Sequence, residues 1–196
     1  MVELAFVFAY LPVSGPVRFE PDGMRLQWRT GCAEASYVGD FVAWSDIRDA
    51  DPSATPPELR LQGGRTVFLA AEQSEELAER LWAAGVTLVH RPDVWGHLLE
   101  PFLDRDYDEV KERIEGELRY WGFTEAEVDL FRERVRWRML LFTRFGGEWT
   151  TYGQADLVLA WFLLRVPPMF VSAGDYRRFR RLNDEIADRP TQGGTR

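Results

Sequence analysis

The segment 104–115 carries acidic residues at the spacing of a calcium-binding EF-hand loop. Aspartates occupy its first, third and fifth positions, and Glu115 occupies its twelfth. The sharp turn of such a loop requires glycine at the sixth position, where this sequence has Glu109. A calcium loop and a straight helix cannot share the same residues, so we predict a helix over 107–121 and no metal site. The apolar residues that favour this helix recur at helical spacing, at Val110, Ile114 and Leu118.

The two histidines, His90 and His97, are the other candidates for metal binding or acid–base chemistry. On a helix, Asp93, His97 and Glu100 can share one face. A hydrolytic site built from them would need a third ligand or a nucleophile, and the neighbouring sequence signals neither. We interpret both histidines as surface or half-buried side chains, and we keep His97 and Glu100 as candidate ligand-binding residues.

Aromatic residues in a glycine-rich loop form the second part of this candidate site. Trp149 and Tyr152 lie in a loop between two predicted helices, and loops are where binding residues concentrate. Together with His97 and Glu100, they would form a ligand site between the two halves of the chain. Two further tryptophans lie on apolar helical stripes, which favours core packing: Trp121 and Trp161.

The motifs that usually carry catalysis do not occur in this sequence. It contains no P-loop, no Gly-x-Gly-x-x-Gly, no Gly-x-Ser-x-Gly and no His-Glu-x-x-His. One cysteine, Cys32, and two histidines are too few for a structural zinc site, and Cys32 has no neighbouring histidine motif that would activate a thiol. We therefore predict no catalytic residues and no cofactor.

Short strands dominate the first 90 residues, which we predict to be one β-rich domain. Two hairpins are clear, 17–28 around Pro21-Asp22-Gly23 and 58–69 around Gly63-Gly64. Ser74 and Gly85 have the residue types that begin and end a helix. Further strands are predicted at 3–11, 35–38, 41–47 and 86–89, and the apolar residues of the helix are Leu77, Leu81, Trp82 and Ala84.

The hydrophobic period changes from two to 3.6 near residue 91, and we predict a helical domain over 91–188. Thr124-Glu-Ala-Glu127 is a capping box that opens the longest helix. A flexible tail is predicted over 189–196. The predicted helices are 94–103, 107–121, 124–145, 155–165 and 172–187.

The last of these helices carries the only dense basic run of the chain, 176–181. Its apolar residues form one seam, and Arg177 and Arg181 lie opposite it. We expect the helix to dock through this seam, with the arginines in solvent. The seam residues are Tyr176, Phe179, Leu182 and Ile186.

The first half resembles a bacterial pleckstrin-homology-like barrel. Seven short strands followed by one helix give the order of elements, and the local likeness lies in three segments: 41–47 with its Trp-x-Asp-Ile, the hairpin 59–69, and the helix start 74–82. The resemblance covers about residues 1–85. It implies a binding or scaffolding module, since such barrels rarely carry out chemistry.

Lipid-binding members of that family clamp phosphates with basic residues of the first two strands and their loop. Here the loop 12–16 has no cation, and only Arg18 and Arg25 lie nearby. We therefore do not expect phosphoinositide binding. The fold that we predict is α+β: a small N-terminal antiparallel β-barrel or sheet with one capping helix, followed by a C-terminal helical bundle.

The charge and the hydropathy of the sequence disfavour several classes of binding partner. The net charge is −8, from 24 basic and 32 acidic residues, and disfavours nucleic acids and anionic membranes. The longest apolar run, 157–164, is far shorter than a bilayer span. Glu3 stands where a signal peptide has positive charge, and a single cysteine suits a reducing compartment. We expect a cytoplasmic protein without membrane insertion.

These observations leave three hypotheses of function. The first is a non-enzymatic binding or scaffolding protein that acts through contacts with a protein partner or as a homodimer. The second is a small-molecule-binding protein or enzyme with its site between the two halves. The third is an acidic inhibitor or immunity-like protein that neutralises a basic partner through the charge of −8.

Overall fold

A computed structural model describes residues 13–28, 32–103, 106–146, 151–163 and 173–192. It confirms the mixed α+β class, with antiparallel sheets in the N-terminal half and helices in the C-terminal half. The predicted strand 3–11 lies outside the described residues. Within the described ranges, no helix has the length and apolarity that a bilayer crossing requires.

The chain divides into two compact units. Unit 1 comprises Met1–Arg91 and Ser172–Asp184, and unit 2 comprises Pro92–Val171 and Glu185–Arg196. The first part of the predicted last helix thus groups with the β-rich residues, although the sequence places that helix in the helical domain.

The first sheet of unit 1 is antiparallel and begins with the predicted hairpin. Its strands β1 (Gly15–Glu20), β2 (Gly23–Gln27) and β3 (Phe41–Ala43) lie side by side in that order. The close approach of β3 requires glycine at position 23, because a Cβ atom there would lie 2.3 Å from the carbonyl oxygen of Val42. The hairpin prediction is confirmed.

The second sheet contains the other predicted hairpin. It is formed by β4 (Ile47–Asp51), β5 (Glu58–Leu61), β6 (Thr66–Phe68) and β7 (Thr87–Leu88) in the order β6-β5-β4-β7. Only the last pairing, between β4 and β7, is parallel. A 3-10 turn, Trp44–Asp46, separates β3 from β4, so the strand predicted over 41–47 is broken into two.

Residues 35–38, predicted as a strand, belong instead to helix α1 (Ala33–Val38). Long-range contacts account for the difference. Glu34 and Tyr37 both bond to side chains near the C-terminus, Arg180 and Asp184 respectively. Residues three apart share a face on a helix but point to opposite faces of a strand, so only the helix permits both contacts.

Helix α2 (Ser74–Ala83) packs Leu77 and Leu81 into the core of unit 1 and ends at Gly85, as predicted. Gly85 has a φ of 73°, the left-handed conformation that terminates helices. Trp82, another apolar residue of this helix, lies on its solvent side, with 77% of its surface exposed.

Unit 2 is built from helices near the predicted positions. Pro101 ends α3 (Val94–Leu99) by starting a 3-10 turn, Glu100–Phe102. A second 3-10 turn, Tyr107–Glu109, leads into α4. The remaining helices are α4 (Lys111–Tyr120), α5 (Glu125–Gly146), α6 (Gln154–Leu163) and α7 (Ala173–Gln192), of which α7 contributes to both units.

The predictions for helix α5 are the ones that the structure confirms most completely. The Thr124 hydroxyl accepts a hydrogen bond from the Glu127 amide at 3.3 Å, and the Glu127 carboxylate accepts one from the Thr124 amide at 3.0 Å. This is the predicted capping box. Five apolar residues of α5 recur at helical spacing and are all buried: Val128, Phe131, Val135, Met139 and Phe142.

Helix α7 runs to Gln192, so residues 189–192, which the sequence assigns to the tail, are helical. Tyr176 and Ile186 of the predicted seam are buried, Phe179 and Leu182 are half-buried, and Arg177 is exposed as expected. The seam is not purely apolar, however. Polar residues on this helix are buried as deeply: Arg180, Asn183, Asp184 and Asp188.

Candidate functional site

Three of the four predicted ligand-binding residues lie in unit 2, and the fourth, Trp149, lies outside the described residues. Tyr152 is buried, and its hydroxyl bonds to the Thr143 hydroxyl at 2.8 Å. Its ring packs on Phe142, with the centroids 5.7 Å apart. Burial raises the pKa of Tyr152. Glu100 is buried at the start of the turn after α3.

His97, on α3, is held by two acceptors. Its Nδ1 lies 2.9 Å from the Asp93 carbonyl oxygen, and its Nε2 bonds to the Glu117 carboxylate. The edge of the ring meets Trp121 at a centroid distance of 4.8 Å. The hydrogen bond from His97 holds the pKa of Glu117 below its usual value, and Arg113 adds to this effect.

Two carboxylates, those of Asp93 and Asp156, lie near Gly153, and sequence reasoning identified only Asp93. The Asp93 carboxylate accepts a hydrogen bond from the Gly96 amide at 2.8 Å and so caps α3. The Asp156 carboxylate accepts a hydrogen bond from the Gly153 amide at 2.8 Å at the start of α6. A Cβ atom on Gly153 would lie within 4.0 Å of both carboxylates. Burial, together with repulsion from Asp93, raises the pKa of Asp156 to about 6.

Four ionisable residues of unit 2 belong to this group: Asp93, His97, Glu117 and Asp156. Each member already has a structural partner, because both aspartates bond to amides at helix starts and the histidine bridges α3 and α4. In the described ranges, no three histidine, cysteine or acidic side chains lie close enough to hold a metal ion. The ligand-binding role of His97 stays a prediction.

Within residues 106–115, the acidic side chains of the EF-hand-like segment have structural roles. Asp106 accepts the Asp108 amide at 3.0 Å and caps the 3-10 turn that leads into α4. Glu115, on α4, contacts the Tyr107 hydroxyl at 3.4 Å and Arg132 at 3.8 Å. The predicted helix over 107–121 is therefore confirmed as a 3-10 turn followed by α4.

Sequence reasoning missed a buried ionic cluster in unit 1. Arg180 has no exposed surface, and its guanidinium contacts Glu34 at 2.8 Å and Asp184 at 2.9 Å. It also donates to the carbonyl oxygen of Thr66 at 2.8 Å. We call this set the Arg180 cluster; its members are Glu34, Tyr37, Thr66, Tyr176, Arg180 and Asp184.

Hydroxyl groups complete the Arg180 cluster. Tyr37 and Thr66 donate to the Asp184 carboxylate at 2.8 Å and 2.7 Å, and Tyr176 donates to Glu34. Burial and the nearby carboxylates raise the pKa of both tyrosines. The cluster thus ties α1, β6 and α7 together through satisfied polar groups, which is what a buried charge requires.

One signal in the sequence could have revealed this cluster. Tyr176, Arg180 and Asp184 follow one another at four-residue steps, so they lie on one face of α7. Their main acidic partner, Glu34, lies 146 residues earlier in the chain, at a distance that no local pattern reaches.

A second missed feature is an apolar stripe on the outer side of α5. We call Leu130, Arg134, Trp137 and Leu141 the contact face. Trp137 is 73% exposed, and Leu130 and Leu141 are 48% and 36% exposed. Leu140, beside the stripe, is also exposed. Helical spacing places the centre of this stripe roughly 120° around the helix from the buried core side of α5.

The exposed charges of α5 are separated by sign along the helix. The acidic ones lie in its N-terminal part, at Glu125, Asp129 and Glu133, and the exposed basic ones follow from Arg134 onward. A small open recess adjoins the acidic end. The exposed basic residues are Arg134, Arg136 and Arg144, and the recess is lined by Glu115, Arg119, Phe123, Glu125, Val128 and Asp129.

Comparison with known proteins does not narrow the function. No family model, curated protein or solved structure matches the chain. The pleckstrin-homology-like resemblance of residues 1–85 therefore stays a prediction.

Proposed function

We propose that the chain is a non-enzymatic cytoplasmic binding or scaffolding protein that acts through protein–protein contacts, and that the contact face of α5 makes these contacts. The exposure of Trp137 between two exposed leucines, Leu130 and Leu141, is the observation that carries the proposal. Single exposed apolar side chains are ordinary, whereas a contiguous group that includes tryptophan is typical of interaction surfaces.

The energetics favour a protein partner for this surface. Burying a large apolar side chain contributes about 1.5–3 kcal/mol, and tryptophan and arginine are the residues most often dominant in binding. The contact face combines both types, because Arg134 lies between Leu130 and Trp137 along the stripe. Part of the gain offsets the entropy lost on association, so a stripe of this size suits a specific interface of moderate affinity.

The polar side chains support a binding role over catalysis. In the interior of unit 1, the guanidinium of Arg180 bonds to the carboxylates of both Glu34 and Asp184. His97 bonds to Glu117 and to the backbone between helices. The pleckstrin-homology-like resemblance agrees with a binding module, since members of that family rarely carry out chemistry.

A pair of matched variants tests the proposal. We expect Trp137→Glu to abolish co-purification of protein partners with the tagged chain from the cell that naturally makes it. The control is Trp82→Glu on α2, where the tryptophan is as exposed but is preceded on the same side by Glu75 and Glu79. Both variants should melt at the wild-type temperature, because both side chains lie in solvent. A Trp137→Glu protein that keeps every partner would refute the proposal.

A further inference from the structure

We propose that the occupant of the contact face is a second copy of this chain, packed so that the two α5 helices run antiparallel. This inference rests on the proposed function and names its partner. It is argued from three properties of α5: the spacing of the exposed residues, the residues that an antiparallel pairing places opposite one another, and the separation of charge along the helix.

The spacing of the contact face is that of a helix-pairing seam. Leu130, Arg134, Trp137 and Leu141 follow one another at steps of four, three and four residues. This alternation keeps side chains on one side of a helix that packs along another helix. Helix α5 has 22 residues, which corresponds to a length of about 33 Å. The seam therefore covers about half of a long and regular surface.

An antiparallel pairing makes this seam complementary to itself. With the two-fold axis between Val135 and Arg136, Leu130 of each copy lies opposite Leu141 of the other. The same axis sets Arg134 of each copy opposite Trp137 of the other. Guanidinium groups pack favourably on indole rings, and leucines bury apolar surface against each other. All four residues of the contact face thus acquire a suitable partner.

The charges favour the same orientation. In a parallel pair, identical residues of the two copies lie at the same level, so the acidic part of one helix runs beside the acidic part of the other, and the basic parts likewise. In the antiparallel pair, the acidic half of each helix faces the basic half of the other, which replaces repulsion with attraction. Arg144 of the second copy comes within about one helical turn of Glu125 and Asp129, the two acids of α5 that line the recess.

Complementary charge variants test the dimer directly. The acidic variant carries Arg136→Glu and Arg144→Glu, and the basic variant carries Asp129→Lys and Glu133→Lys. In sedimentation experiments, we expect the wild type at twice the chain mass of 22.7 kDa. Each variant alone should weaken dimerisation at least tenfold, and an equal mixture of the two should restore a heterodimer. Circular dichroism confirms that each variant is folded.

Disulfide trapping tests the orientation. Cys32 is the only cysteine, so a Cys32→Ser background allows single cysteines to be placed at Leu130 or Leu141. Under air oxidation, we expect a disulfide-linked dimer only when the Leu130→Cys and Leu141→Cys chains are mixed. The parallel arrangement would instead link each variant to itself, because identical positions then meet. Self-linking without mixed linking would overturn the antiparallel assignment.

The outcomes separate this inference from the proposed function. A wild-type chain that sediments as a monomer at micromolar concentration overturns the dimer. If Trp137→Glu still abolishes co-purification of a different protein, the contact face retains its proposed function with another occupant. If charge variants and wild type dimerise equally well and Trp137→Glu loses no partner, both proposals fail.

Discussion

The side chain of Arg180 holds together several elements of unit 1. Its guanidinium is completely buried and bonds to two carboxylates, Glu34 and Asp184, and to the Thr66 carbonyl oxygen. A buried ion pair contributes little compared with an apolar pair, but removal of one partner leaves an uncompensated buried charge. The stability of unit 1 therefore depends on Arg180 far more than on the neighbouring exposed arginines.

We expect Arg180→Met to reduce the free energy of unfolding by about 3–5 kcal/mol, because two buried carboxylates lose their cation. Arg181→Met is the control, since Arg181 is exposed on the same helix and should change stability by less than about 0.5 kcal/mol. Urea unfolding followed by circular dichroism measures both. Equal effects of the two substitutions would show that the Arg180 cluster is not a structural anchor.

The Asp156 carboxylate gives a pH-dependent prediction. In the folded protein the pKa of Asp156 is about 6, above the ordinary aspartate value of 3.8, so folding disfavours the ionised form of the carboxyl group. The native state then binds the proton more tightly than the unfolded chain, and stability falls as pH rises from about 4 to about 6. We expect Asp156→Asn to stabilise the protein at pH 7 by roughly 1–2 kcal/mol, a gain that disappears near pH 4.

Thermal melts between pH 4 and pH 8 test this prediction. The matched control is Asp108→Asn, which changes an exposed aspartate and should shift the melting temperature equally across the range. A gain for Asp156→Asn that does not vary with pH would contradict the assigned cause, since it would not follow the ionisation of the carboxylate.

At the scale of elements, local patterns predict the structure where a local cause decides it. The hairpin at Gly23 and the capping box at Thr124 depend on residues close in sequence, and both are confirmed. Helix α1 was predicted as a strand, because its conformation follows from contacts with Arg180 and Asp184 at the other end of the chain. Sequence period identifies α2, but it does not show that Trp82 faces solvent.

In the candidate site, too, the sequence identifies single residues but not the partners that distant elements bring to them. His97 was identified from its type, and Tyr152 from its loop, but their partners Glu117 and Thr143 come from other helices. The Arg180 cluster joins residues 146 positions apart, so no single-sequence pattern could assemble it. The exposed residues of α5 follow from its core face, because the opposite side of the same helix then carries Trp137.

Glycine-to-alanine substitutions at two positions, one inside α4 and one just after its end, should have opposite effects on stability. Gly116 lies within the helix with open space around it, so Gly116→Ala should stabilise the protein by about 1 kcal/mol. Gly122 has a φ of 85°, and Gly122→Ala should destabilise it by about 1 kcal/mol. Urea unfolding measures both changes. Two changes of the same sign would mean that this part of unit 2 is assigned wrongly.

At the scale of the whole molecule, the net charge of −8 and the exposed stripe of α5 bear on association. Net charge opposes the close approach of two copies, so a homodimer must gain from local complementarity more than it loses from this repulsion. The separated charges of α5 supply that complementarity. We therefore expect dimerisation to strengthen as salt rises from very low ionic strength, when overall repulsion is screened, and to weaken again at high salt.

The most direct test of the central claim is site-specific photo-crosslinking in the cell that naturally makes the protein. A photoreactive phenylalanine derivative replaces Trp137 in one strain and Trp82 in another, since both tryptophans are largely exposed. Contacts through α5 predict a defined higher-mass adduct from position 137, at twice the chain mass for the dimer, and no adduct from position 82. Position 137 without any adduct, or with the same adducts as position 82, would contradict the account.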